Sequence, residues 1–325
     1  MKPAIEKIKD LGKGETPILF LIFNRPLTTN QVFEEIRKQK PKHLYIAADG
    51  PRKNKLEEQD LCELTRKVIT KIDWHCELKT LFRQENLGSK YAVSSAISWF
   101  FEHEEEGIIL EDDCRPNESF FLFCENLLSK YKHNSKIMHI TGSNLNDTIK
   151  FGDGSYYYSY YPNVWGWATW KRAWQKFDLE LKDKAAYLKV IDQTFNSFSE
   201  KFFWRSRIEL IESNRIDAWD YQWMFSIWRE NGMCLNSNYN LVTNIGFGND
   251  ATHTTGESPY LTPITKKITE IEHPSELKVI EKAETEFIYG LHGLKRKSYF
   301  GYYLNKHFLQ RCKNLLHKIK LKVNN

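Results

Sequence analysis

The chain of 325 residues has no run of about eighteen apolar residues, so it offers no helix able to cross a bilayer. The opening segment, Met1-Lys2-Pro3-Ala4-Ile5-Glu6-Lys7, lacks the apolar centre of an export signal. Cysteine is scarce, at positions 62, 76, 114, 124, 234 and 312, and no two fall in a C-x-x-C pair. That argues against a structural zinc and for reduced, buried thiols. There is no Walker A sequence, no G-x-S-x-G elbow, no H-E-x-x-H, no internal repeat and no low-complexity linker. The expected address is the cytoplasm.

Hydrophobic residues make up 41% of the chain and aromatics 14%, enough for a sizeable core; charged residues are 27%. A disordered chain, a collagen and a small disulfide scaffold are excluded. The net charge of +5 is unevenly placed, since no acidic residue occurs from Leu291 to Asn325. In that stretch Phe308, Cys312, Leu315, Leu316 and Ile319 share one face of a helix among lysines and arginines. A basic amphipathic helix over residues 295–322 suits an anionic membrane surface at the inner face. It equally suits a terminal helix docked on its own domain. No nucleic-acid motif accompanies the charge, so nucleic acid is not an expected partner.

The first 140 residues alternate. Apolar runs at Pro17–Phe23, His43–Ala48, Leu78–Phe82, Gly107–Leu110 and Ile137–Thr141 predict strands, with helical patterns at Thr29–Lys40, Leu56–Lys71, Ser89–Glu102 and Ser119–Tyr131 between them. This predicts an α/β fold with a mainly parallel sheet flanked by helices, whose ligands bind beyond the strands' carboxyl ends. Beyond residue 150 the spacing predicts a strand at Tyr156–Tyr161, helices at Lys182–Ile191, Ser197–Glu212 and Trp219–Glu230, and a loop-rich stretch at Asn236–Pro263. The domain is expected to run from 1 to 262, with a basic helical tail over 263–325.

The predicted strand ends carry the chemistry. Glu111-Asp112-Asp113 follows a buried strand, where three adjacent acids repel one another unless a cation offsets them. Hard ions such as Mn²⁺ or Mg²⁺ take carboxylate oxygens and bridge to a diphosphate. The plainer alternative is capping of the next helix by Asp113 or Asn117, which needs one acid and not three. Asp217 and Asp220 flank the start of a helix, where either could be a general base or a cap, capping suiting Asp217 better. His253, in a Gly/Asn/Thr loop, is a candidate metal ligand or a solvated side chain. Trp165 and Trp167 could face a sugar ring or simply pack in the core. Gly246-Phe247-Gly248 and the Ala251 after it match a dinucleotide fingerprint, but far from the first βα turn where that motif works.

Together, Ile18–Arg25, Asp49-Gly50, Leu110–Asp113 with Phe120-Phe121, Gly166-Trp167, Trp219-Asp220 and the glycine loop ending in Thr252-His253-Thr254 resemble the N-acetylglucosaminyltransferase I family of GT-A (Rossmann-like) glycosyltransferases. The resemblance covers residues 16–256. It implies a donor half over 16–150 and an acceptor half over 151–262. It also implies Arg25 at the nucleotide's phosphates, Asp49 at the uracil, and Glu111 and Asp112 at the ribose and donor sugar. Asp113 would hold the metal, with His253 by the metal or diphosphate, and Asp220 would be the base. The family carries a uracil-contacting histidine where Ala96 stands here, and Lys90 is the candidate substitute. Trp165, Trp167 and Asp217 are candidates for the acceptor side. The activity implied is metal-dependent, inverting transfer of a sugar from a nucleotide-diphospho-sugar, such as UDP-GlcNAc, to a glycan or glycolipid hydroxyl. The alternatives are a metal-dependent nucleotidyltransferase or hydrolase, and a non-catalytic carbohydrate-binding relative.

Overall fold

A computed structural model describes residues 4–7, 14–55, 57–146, 148–246 and 264–291. A short strand, β1 (Ala4–Lys7), precedes the alternating region. That region runs β2 (Ile18–Ile22), α1 (Pro26–Gln39), β3 (His43–Ala48), α2 (Glu58–Arg66), β4 (Glu77–Phe82), α3 (Gly88–His103) and β5 (Glu106–Glu111). Next come β6 (Cys114–Pro116), α4 (Glu118–Tyr131), β7 (Ile137–Thr141), β8 (Tyr156–Ser159) and β9 (Trp167–Trp170). Helices α5 (Lys171–Trp174), α6 (Lys184–Thr194), α7 (Phe198–Glu212) and α8 (Asp220–Arg229) lead to β10 (Met233–Ser237) and β11 (Val242–Asn244). The last described elements are β12 (Glu270–His273), α9 (Glu281–Thr285) and a π-helical turn at Glu286–Leu291.

The central sheet has 8 strands in the order β4-β3-β2-β5-β9-β7-β10-β8. Only β9 and β8 run against the others. This is the expected Rossmann-like α/β architecture. Alternate residues of β2 point to opposite faces, as the two-residue period requires. Ile18, Phe20 and Ile22 pack with Val32, Phe33 and Ile36 of α1 and with α4. Leu19 and Leu21 pack with Ala96, Ile97 and Phe100 of α3. Chain order then decides where a ligand can sit. From β2 the chain moves to β3 and β4 on one side, and it returns to β5 on the other. A crevice therefore opens between the carboxyl ends of β2 and β5.

Two features of the second half depart from the sequence reading. Trp167–Trp170 is a strand buried along its whole length, inserted antiparallel between β5 and β7. The stretch from Asn236, expected as loop, begins inside β10 and contains β11, which pairs with β6. Residues 264–291 pack on the domain: β12 pairs with β1, and Ser119 Oγ donates to the Ile268 carbonyl at 3.2 Å. The basic stretch 295–322 lies outside the described residues, among which no helix is long and apolar enough to cross a membrane.

Glu284 of α9 fastens this last segment to the end of β8, accepting from Ser159 Oγ at 2.6 Å and from the Tyr160 N–H at 3.2 Å. Burial pushes its carboxyl up from 4.5 to about 8, against those two donors. A carboxyl with a raised folded pKa stabilises the fold most below its unfolded value, and that contribution is lost as pH rises through the folded one. Urea denaturation should therefore show stability falling by on the order of 1–3 kcal/mol between pH 5 and pH 9. Glu284→Gln should flatten much of that slope; an unchanged slope in the variant would rule out Glu284 as its source.

Candidate active site

The crevice is closed by charge. β2 ends at Ile22, and the following turn places the Phe23 N–H 3.2 Å from Asp112 Oδ2. The Arg25 guanidinium hydrogen-bonds Asp112 Oδ1 and reaches Asp113 Oδ2 at 3.0 Å. Burial alone would lower the Arg25 pKa, but the two carboxylates hold it above its ordinary value, so the side chain is a permanent cation. Asp112 is 2% exposed, and burial lifts it to about 6 against the pull of Arg25. Glu111 rises to about 8, first through burial and then through Asp113 and Asp112, with Asp220 adding to the effect. One guanidinium thus faces three carboxyl groups, and burial with the neighbouring acids pushes Glu111 towards its protonated form.

Capping does not explain the triplet. Asn117 caps α4, accepting the Phe120 N–H at 3.0 Å. The β6–β11 pair instead carries the chain back over the acids: the Ile245 N–H donates to the Asp113 carbonyl at 2.7 Å. A Cβ on Gly246 would lie 2.3 Å from Asp113 Oδ2 and 2.9 Å from Arg25 Nη1. Only glycine allows the backbone this close to the ion pair.

On the other side of β2, Asp49 acts as a remote cap. Its carboxylate accepts from the N–H groups of Gly50 at 2.9 Å, Leu87 at 3.0 Å and Gly88 at 3.1 Å, and from Asn86 Nδ2 at 2.9 Å. Leu87 and Gly88 open α3, where N–H groups lack helical partners. Burial raises the Asp49 pKa against these backbone donors. Arg66 Nη2 holds the Asp49 carbonyl at 3.0 Å, tying the two loops together.

Between these walls lies a cleft of about 370 Å³, within the range of small-molecule sites. Of the residues singled out from sequence, Arg25, Asp49, Glu111, Asp112, Asp113, Trp165 and Asp217 line it. Asp217 is exposed before α8, and Asp220 is half-buried in the first turn of that helix. The capping role expected for Asp217 is not seen, because Trp219 occupies the N-cap position. Lys90, expected beside the base, is buried and directed to Glu180 at 3.6 Å, off the cleft. Trp167 is a core residue: 0% exposed, it stacks on His139 with ring centroids 4.9 Å apart and on Trp219 at 5.7 Å. It is unavailable to an acceptor sugar. His253 lies outside the described residues.

Arg52, Arg83 and Asn244 also line the cleft but were not singled out, and Gly246, noted only for a fingerprint out of place, lines it too. The signal for the two arginines was their position just after predicted strands. Arg52 is paired with Glu58, to which its own N–H also donates at 2.7 Å. Among the described residues no group of three or more His, Cys, Asp and Glu is disposed to hold a metal ion. Asp113 has one oxygen on Arg25 and the other 3.3 Å from Cys114 Sγ. The donor chemistry nevertheless suits a hard cation, since the carboxylates outnumber the charge that Arg25 supplies.

No family model and no curated protein sequence matches the chain. Among solved structures it is similar to HddC from Yersinia pseudotuberculosis, with a TM-score of 0.30 and 8% identity over 48% of this chain and 77% of the other. It is also similar to a 4-diphosphocytidyl-2C-methyl-D-erythritol synthase from Anaerococcus prevotii DSM 20548, at 0.31 and 12% over 60% and 99% of the two chains. For an apo UDP-glucose pyrophosphorylase the values are 0.33 and 9% over 69% and 93%. Likenesses this distant carry nothing about activity, which has to be read from the cleft.

Arg25→Met would leave Asp112 as a buried carboxylate without its cation, a change costing about 3–5 kcal/mol. Because protonation removes the stranded charge, the gap between wild type and variant should be wide at pH 8 and narrower at pH 5. Urea denaturation at the two pH values measures it, and an equal gap at both would show that charge compensation is not what Arg25 supplies.

Proposed function

We propose that the chain is a nucleotide-diphospho-sugar-dependent glycosyltransferase acting on a glycan or glycolipid hydroxyl. The observation that carries this reading is the cleft at the carboxyl ends of β2–β5, with Arg25 held between Asp112 and Asp113. The two ends of the cleft differ in chemistry: small apolar side chains under Arg83 at one, acids and arginines at the other. A nucleotide sugar, with a flat base and a doubly charged diphosphate before a polyhydroxyl ring, has the matching sequence of groups.

The acceptor oxygen would form its bond to the anomeric carbon while the bond from that carbon to the diphosphate oxygen breaks, its electrons leaving with the diphosphate. Arg25 and Arg52 would offset that charge. Of the two candidate bases, Asp217 lines the cleft and so is the better candidate to take the acceptor proton, whereas Asp220 does not line it but is near enough to Glu111 to raise its pKa. Attack from the side opposite the leaving group gives inversion. Mn²⁺ or Mg²⁺, held by Asp113 with Glu111, would add Lewis-acid charge at the diphosphate. A membrane role for residues 295–322 would place the acceptor at a lipid surface.

Calorimetric titration of nucleotide-diphospho-sugars, with and without Mn²⁺, into wild type and Asp113→Ala tests the donor site. One nucleotide sugar should bind, at least tenfold more weakly in the variant. Absence of binding by every nucleotide sugar would remove the proposal. Release of pyrophosphate from a nucleoside triphosphate and a sugar phosphate would favour nucleotidyl transfer instead. Asp217→Asn should lower turnover about 10²- to 10⁴-fold with donor affinity unchanged. Should Asp220→Asn do so and Asp217→Asn not, the base is Asp220.

A further inference from the structure

The end of the cleft away from the acids is built with equal care. Arg83 follows β4, the edge strand, which lies three strands from β5. At about 4.8 Å per strand the two ends are roughly 14 Å apart, a span suited to a base at one end and a diphosphate-linked sugar at the other. The Arg83 backbone is fixed from both sides. Its N–H donates to the Ala48 carbonyl at 3.0 Å, and its carbonyl accepts from Arg66 Nη2. Its guanidinium is held by Ser95 Oγ, 2.8 Å from Nη2, and has no other hydrogen-bond partner among the described residues. Ala47, Ala92 and Ala96 line the cleft with it, leaving room for a flat ring.

The acceptors at this end are largely committed. A carboxylate offers about four lone-pair sites, and Asp49 already receives Gly50, Asn86, Leu87 and Gly88. Asn86 directs its amide nitrogen to Asp49 Oδ2 and the Gly50 carbonyl, both at 2.9 Å, which leaves its side-chain oxygen as an acceptor. An arginine, by contrast, can only donate.

We infer that Arg83, and not Asp49, selects the nucleotide base, donating to a ring carbonyl whose neighbouring N–H is received by Asn86 Oδ1. This rests on the nucleotide-sugar reading and narrows it: the site takes bases with a carbonyl beside a ring N–H, such as uracil, over those with an amino group beside a bare ring nitrogen, such as cytosine. Burial lowers the Arg83 pKa while Asp49 opposes the shift, consistent with a donor set in a partly water-excluded wall where an unmatched amino group is penalised.

UDP and CDP differ at that edge and share everything else, so calorimetric titration of both, in the presence of Mn²⁺, isolates the effect. Wild type should bind UDP at least tenfold more tightly than CDP. Arg83→Met should bring the two within threefold by weakening UDP and leaving CDP nearly unchanged, whereas a merely structural role would weaken both alike. Ser95→Ala, which only loosens the guanidinium, should give an intermediate ratio and serves if Arg83→Met does not fold. Equal wild-type affinities, a preference for CDP, or a ratio unmoved in the folded variants would overturn the assignment to Arg83 while leaving the donor site intact. If neither nucleotide binds wild type, the nucleotide-sugar reading itself fails, and this assignment with it.

Discussion

The ion pair between Arg25 and the acids after β5 sits where the sheet's connectivity changes direction, and much of the molecule is arranged around it. β2 and β5 are neighbours whose chains continue to opposite sides, so their carboxyl ends splay and leave a gap that no helix fills. Three consecutive carboxyl groups in such a gap would drive water in or force the strands apart. Arg25 comes from the turn directly after the strand whose end forms the gap, and the Phe23 N–H before it grips the same Asp112. The charge is thereby compensated by the element it would otherwise repel. The close approach of Gly246 follows from this arrangement, since the pair leaves no space for a side chain above it.

The wall facing the acids depends on packing of a different kind. His139 is neutral, pushed down to about 3 by burial, and donates through Nε2 to the Asn163 carbonyl while Nδ1 accepts the Trp223 indole N–H. Its ring stacks on Trp167, and Trp167 stacks on Trp219, the residue that begins α8. A chain of rings therefore runs from the middle of the sheet to the segment that carries Asp217 and Asp220. Aromatic contacts add about 0.5–1.5 kcal/mol each beyond burial, and their larger effect here is positional. The stack ends at Trp219, directly before Asp220 and two residues after Asp217.

The parallel half of the fold was legible because it obeys simple periods. The five strands expected up to residue 141 were all found, and the helices between them differ from expectation by a few residues at their ends. β9 was missed for a physical reason. A strand buried on both faces has no polar alternation, and Trp167-Ala168-Thr169-Trp170 is as consistent with a platform as with a strand. Asp49 was recognisable as a strand-end acid, but its task was not. Only the fold brings Leu87 and Gly88, some forty residues later, to its carboxylate. Trp219 rather than Asp217 occupies the N-cap position of α8, without a side-chain cap, and its ring stacks on Trp167. Arg83 stood in plain view after a predicted strand and became distinctive only once Ser95 was seen to hold it.

The distribution of charge along the cleft explains why its two ends favour different chemistry. Asp49 has its oxygens taken up by the donors that it gathers, so its end presents Arg83 beside an acid already hydrogen-bonded elsewhere. At the other end Arg25 balances only part of three acids, and burial with Asp113 and Asp112 raises the Glu111 pKa. A ligand that was merely anionic would suit the first end and be repelled by the second. One bearing its negative charge where Arg25 and Arg52 line the cleft would meet positive charge there, with a neutral polar group left to face the acids. A cation beside Glu111 would remove the part of its raised pKa that comes from the neighbouring acids and leave the larger part that comes from burial. The acidic end is thus held short of positive charge by its own geometry, which makes recognition there conditional on what the ligand brings.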